Sequence, residues 1–113
     1  MAEKQLNITE NTGKDGKVYL NVDFRKDLLP ETNDFVIVEK IFPDGRKYDK
    51  QGQFGAYSFY GVNMRYQGQT VGVFMNQKLY DQWLAAPMGN LKVSTKIVKG
   101  KKGYIQVFDV EQA

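Results

Sequence analysis

Between Phe54 and Trp83 the chain sets aromatic, cationic and glycine residues two apart: Tyr57, Phe59, Gly61, Asn63 and Arg65 on one run, Thr70, Gly72 and Phe74 on the next. That period belongs to a β-strand, whose successive side chains point to opposite faces. The runs meet at Gln67-Gly68, where glycine can supply the positive φ of a two-residue hairpin turn. If Tyr66 pairs with Gln69, then Met64 faces Val71, Val62 faces Val73 and Tyr60 faces Met75. This register turns an apolar face inward and leaves rings, a guanidinium and bare backbone on the other. Flat rings spaced by glycines are platforms for stacking unpaired bases, worth about 1–3 kcal/mol per base, and Arg65 alongside can stack or hold a phosphate. The same pattern also fits a face covered by the N-terminal segment, or a second core layer.

Other chemistry has little to work with. The 113 residues contain no Cys and no His, which removes disulfides, thiolate nucleophiles, Cys/His zinc sites and the commonest general base. The carboxylates Asp23, Asp34, Glu39, Asp44, Asp49 and Asp109 are scattered over different segments, and Gly45, Gly52 and Gly55 match no phosphate-loop or dinucleotide spacing. No catalysis, cofactor or metal is expected. A net charge of +3 is compatible with a polyanionic ligand without requiring one. No signal peptide is evident and no apolar stretch approaches the about 18 residues of a membrane span, so a soluble, cytoplasmic protein without membrane association is expected.

The elements that must position the ring face follow from pattern and punctuation. Residues 1–17 are polar and aperiodic and read as a flexible arm. Residues 18–113 then form one domain. Val18, Leu20, Val22 and Phe24 alternate as a half-buried strand, ended by the connector around Pro30. Phe35 to Phe42 make a second strand, and Pro43-Asp44-Gly45 a turn. The segment from Arg46 to Gly55 reads as a long basic loop carrying Arg46, Lys47, Tyr48, Lys50 and Phe54. Asn76 can cap a short helix over 77–86, with Leu79 and Trp83 on one face; Trp83 is a core plug rather than a stacking platform. Two final strands, 91–98 and 104–110, flank a basic turn. There Lys92, Lys96, Lys99, Lys101 and Lys102 form either a phosphate-binding patch or the solubilising charges of an edge hairpin.

Strand, basic loop, strand, tight turn, strand, helix, strand, basic turn, strand is the order of an all-β, five-stranded Greek-key barrel of the oligonucleotide/oligosaccharide-binding type, the OB-fold. Its strands would be 35–42, 56–66, 69–76, 91–98 and 104–110, with one short helix between the third and fourth and an extra N-terminal strand over 18–25. The runs FGAYSFYGVNMRYQGQTVGVFMN, LYDQW and KVSTKIVKGKKGYIQVFDV resemble single-stranded DNA-binding proteins of this fold, closer to the replication protein A branch than to the bacterial tetrameric branch. The resemblance implies that a nucleic acid crosses the second and third strands, at Tyr57, Phe59, Asn63, Arg65 and Phe74. It implies a first gripping loop with Arg46, Lys47, Tyr48, Lys50 and Phe54, and a second with Lys99, Lys101 and Lys102. The acidic tail tip of bacterial members and the zinc-ribbon cysteines are missing.

The expected function is sequence-tolerant binding of single-stranded nucleic acid, DNA before RNA, in replication, repair or recombination, with replication or repair proteins or further copies of the chain as partners. The alternative is a protein-interaction or scaffold subunit whose ring face is an oligomer interface, since exposed rings are enriched there too.

Overall fold

The computed structural model describes residues 3–113. The chain is all-β, with eight strands in one sheet among the described residues. In order they are β1 (Thr9–Thr12), β2 (Val18–Val22), β3 (Phe35–Lys40), β4 (Arg46–Gly52), β5 (Gly55–Tyr66), β6 (Gln69–Met75), β7 (Gly89–Gly100) and β8 (Gly103–Gln112), with helices α1 (Phe24–Asp27) and α2 (Gln77–Ala85) between β2 and β3 and between β6 and β7.

β5 is the strand around which the sheet is laid. Along one edge it pairs with β6 in the expected register, Tyr66 to Gln69 through Tyr60 to Met75. Gln67 and Gly68 both take positive φ, 51° and 76°, the type I′ geometry whose twist matches the strands it joins. Along the other edge its first half pairs with β4 and its far end meets β3 at Glu39 and Arg65. β3 also pairs with β7, and β7 with β8. The core lies on the inward face, where Val62, Met64, Val71, Val73 and Met75 meet Val36, Val38, Leu91, Val93 and the fully buried Trp83 of α2.

Asn76 caps α2, its Oδ1 accepting from the Leu79 N–H at 2.9 Å. The far end is closed from outside the helix. Lys40 follows Val36 and Val38 inward on β3, and its ammonium donates to the carbonyls of Trp83 at 2.6 Å and Ala86 at 2.8 Å. The Trp83 carbonyl also accepts from the Ala86 N–H at 3.2 Å, so the ammonium adds a second donor there and serves the Ala86 carbonyl just beyond the helix, at the end where a cation is also favoured by the helix dipole.

Several expectations are corrected. The sheet has eight strands rather than five plus one, and its path, β1-β2-β6-β5-β3-β7-β8, ends at β1 and β8 without closing. β2 runs parallel to β6 and occupies that strand's outer edge. The strand expected over 18–25 stops at Val22, because Asp23 accepts from the N–H groups of Arg25 and Lys26 and starts α1. The segment read as a loose arm is fastened from Lys4 onward. Leu6 is buried and its N–H donates to the Tyr66 hydroxyl at 2.8 Å, Lys4 N–H donates to the Phe35 carbonyl, and β1 pairs with β2. Leu6 and Ile8 are too short an apolar alternation to stand out in a polar run. Met1 and Ala2 lie outside the described residues. No helix among the described residues is long and apolar enough to cross a membrane.

Candidate nucleic-acid interface

The largest correction builds the site. Residues 46–52, expected as a loop, are β4, paired residue for residue with the start of β5: Arg46 to Gly61, Tyr48 to Phe59, Lys50 to Tyr57. Directly paired residues in an antiparallel ladder share a face. Arg46, Tyr48 and Lys50 therefore join Tyr57 and Phe59, and Phe74 arrives from β6 opposite Gly61.

Four rings form one cluster with Phe59 at its centre. Tyr48 stacks on it at 5.3 Å between centroids with planes 15° apart, Tyr57 lies at 6.3 Å and 27°, and Phe74 presents an edge at 5.1 Å and 87°. Such pairs add about 0.5–1.5 kcal/mol each beyond area burial. Gly61 makes the arrangement possible, since a Cβ there would stand 2.9 Å from Cε2 of Tyr48 and 3.6 Å from Cε1 of Phe74. The Arg46 guanidinium extends the cluster, its Cζ 5.2 Å from the Tyr48 centroid. Phe59 and Tyr48 are half-buried by their neighbours, whereas Tyr57 is 55% and Phe74 64% exposed. The open stacking surfaces are thus Tyr57 and Phe74, with Phe59 as their support.

Beside the cluster runs a groove of about 630 Å³. Tyr57, Phe59 and Phe74 form one wall, Phe24, Leu79 and Phe108 contribute apolar lining, and Arg25 and Lys26 of α1 add cations. Its two carboxylates are engaged: Asp23 caps α1, and Asp27 accepts from the backbone and side-chain amides of Asn7 at 2.9 and 3.0 Å. Arg25, Lys26 and Asn7 were not expected here. The signal available was Asp23 as a helix cap two residues ahead of Arg25, which turns that cation away from a continued strand.

The remaining candidates separate by geometry. Asn63 and Arg65 share the face of the rings but lie farther along β5, Arg65 six residues or about 20 Å from Phe59 at ~3.3 Å per residue, and Arg65 pairs with Glu39 at 3.6 Å. Lys47 points to the opposite face and pairs with Asp49 at 3.8 Å. Lys50 stays on the ring face, exposed and in no ion pair among the described residues. The lysine patch divides. Lys96 meets Asp109 at 3.3 Å, and Lys92 lies 4.0 Å from Glu111 and 4.6 Å above the Phe35 ring. Lys99, Lys101 and Lys102 stand exposed at the tip of the β7–β8 hairpin beside an exposed Tyr104. Phe54, 99% exposed, is at the tip of the β4–β5 hairpin.

Stacking and charge neutralisation are what this face can do. No group of three or more His, Cys, Asp or Glu side chains placed to hold a metal ion occurs among the described residues. Comparison with protein-family models, curated proteins and solved structures finds no match to this chain.

Proposed function

We propose that this protein binds single-stranded nucleic acid, DNA before RNA, without sequence preference and without performing chemistry, in replication, repair or recombination. One observation carries the proposal: a contiguous ring cluster on an exposed strand face, backed by Arg46 and Lys50 and bordered by a groove. Every base has a π-face, so ring platforms bind without reading sequence, and cations beside them take up the phosphates.

The fold fits this as an opened variant of the OB barrel, with β3, β5, β6, β7 and β8 in the places of its five strands and α2 between the third and fourth. β3 pairs with both β5 and β7, as the first strand of such a barrel pairs with its second and fourth. Closure would need β6 beside β8, and β2 holds that edge of β6 instead.

Anisotropy of a labelled oligo-dT tests the binding. Trp83 is fully buried in the core, so quenching of its fluorescence is a poor reporter. Phe74→Ala is expected to weaken binding about 5- to 150-fold, the equivalent of 1–3 kcal/mol per stacked base. With about four phosphates neutralised, log K should fall against log salt with a slope near −3. Equal affinity for duplex and single strand, no salt dependence, or a dimer that covers Phe74 and binds no oligonucleotide would each remove the proposal.

A further inference from the structure

The β4–β5 hairpin is built as a free-standing ribbon. Among the described residues β4 pairs with β5 alone, and residues 55–59 of β5 pair only with β4. From Lys47 to Ser58 its side chains are exposed or half-buried on both faces, so the core supplies none of its footing. At the tip, beyond the Gly52–Gly55 pair, stands Phe54, 99% exposed. A phenyl ring standing wholly in water at the end of a two-stranded arm adds no burial to the described fold and is free to enter a partner.

The surroundings indicate what that is. The arm carries a cation, Lys50, on the face of the rings; Lys47, on the reverse at its root, is paired with Asp49. Its root carries the cluster of Tyr57, Phe59 and Phe74 on which a single strand would lie. A phenylalanine at the end of a narrow ribbon is the kind of apolar wedge that enters between adjacent base steps and parts them. Phe54 lies five residues from Phe59, about 16 Å at ~3.3 Å per residue. A strand stacked at the root would therefore bring the next few nucleotides, still paired, to the arm's tip.

We infer that Phe54 is a wedge for the junction between single- and double-stranded nucleic acid: the ring cluster holds the unpaired strand while Phe54 enters between bases at the first paired steps and loosens them. The inference rests on the binding reading above and adds to it a junction-specific ligand and a strand-parting role. Lys50, on the ring face between the cluster and the tip, would meet the backbone of the unpaired strand as it enters the junction.

The test uses the full chain, a labelled duplex with a dT tail, the tail alone, and a fluorescent base analogue at the first paired step. Phe54 touches no core residue, so Phe54→Ala folds as the wild type does, and Phe54→Leu keeps an apolar wedge. Wild type is expected to bind the tailed duplex about fivefold or more tighter than the tail, with a rise in analogue fluorescence as the step unstacks. Phe54→Ala should abolish both the preference for the tailed duplex over the tail and the rise in analogue fluorescence, and Phe54→Leu should retain part of each. Equal affinity of wild type for tail and tailed duplex overturns the inference while leaving single-strand binding intact. A Phe54→Ala variant that keeps the junction effects also overturns it. So does one that loses tail binding in proportion, since Phe54 would then be an ordinary stacking platform. If wild type binds neither ligand, the binding proposal fails and the wedge with it.

Discussion

Asp34 shows how much a single residue outside the site holds in place. It is fully buried at the entrance to β3, accepting from the Thr32 hydroxyl at 2.6 Å and the Leu29 N–H at 2.9 Å, with the Lys4 ammonium 3.8 Å away. The Thr32 hydrogen bond leads the causes that hold its pKa below the ordinary carboxylate value; burial opposes, and the Leu29 N–H and Lys4 assist. A carboxyl whose pKa is lower folded than unfolded binds fewer protons in the native state. Its contribution is therefore present above the ordinary value of about 3.8 and is lost as pH falls through the depressed one. Asp34→Asn is expected to lower the urea midpoint near pH 7 and to differ less from wild type near pH 3. A midpoint gap that stays constant across that range would show that Asp34 acts by shape alone. At the ring cluster the residue-scale lesson is similar: Phe59, conspicuous in sequence, is surrounded by Tyr48, Tyr57 and Phe74, and the open surfaces belong to its neighbours.

Among elements, α2 depends on a strand remote from it in sequence. It ends at Ala85 without a glycine cap, and the carbonyls of Trp83, Leu84 and Ala86 receive the Lys40 ammonium instead. Burial pulls the Lys40 pKa below its ordinary value, and its ammonium is held by the carbonyls it serves, of which that of Trp83 also accepts from the Ala86 N–H. Lys40→Met keeps the side chain's length and removes the donor, leaving buried acceptors at a cost of about 1–3 kcal/mol. Chemical denaturation followed by Trp83 fluorescence should show this loss, and an unchanged midpoint would mean that water replaces the ammonium. The site would feel the change indirectly, because Leu79 of the same helix lines the groove. The β4–β5 and β7–β8 hairpins are the opposite kind of element: both end in exposed tips, one with Phe54 and the other with Lys99, Lys101 and Lys102.

For the whole molecule, a formal charge of +3 understates how unevenly usable cations are distributed. Ion pairs across β7 and β8 and between β3 and β5 engage Lys92, Lys96 and Arg65, whereas Lys99, Lys101 and Lys102 at the β7–β8 tip and Arg46 and Lys50 beside the rings form none among the described residues. If nucleic acid reaches that tip, replacing Lys99, Lys101 and Lys102 together by Gln should flatten the salt dependence of oligo-dT binding by about 2 in log-log slope, at ~0.7 per charge. Replacing Lys92 and Lys96 should change it little. A triple variant with the wild-type slope would confine binding to the ring face and α1.

The residues alone determined the central ribbon. Its alternation, the Gln67-Gly68 turn, the one-to-one register and the burial of Trp83 all follow from side-chain period and turn chemistry, which are local properties. Partner choice was decided only in three dimensions. β4 is polar on both faces, so no periodicity announced it, and it became a strand because the first half of β5 offered an unpaired edge. β2 took the edge of β6 that a closed barrel would have kept for β8, and acids on β8 met two of the five lysines. Edges and counter-charges brought together from distant parts of a chain leave no mark in any short stretch of it, because hydrogen bonding between backbones is blind to the side chains that pattern a sequence.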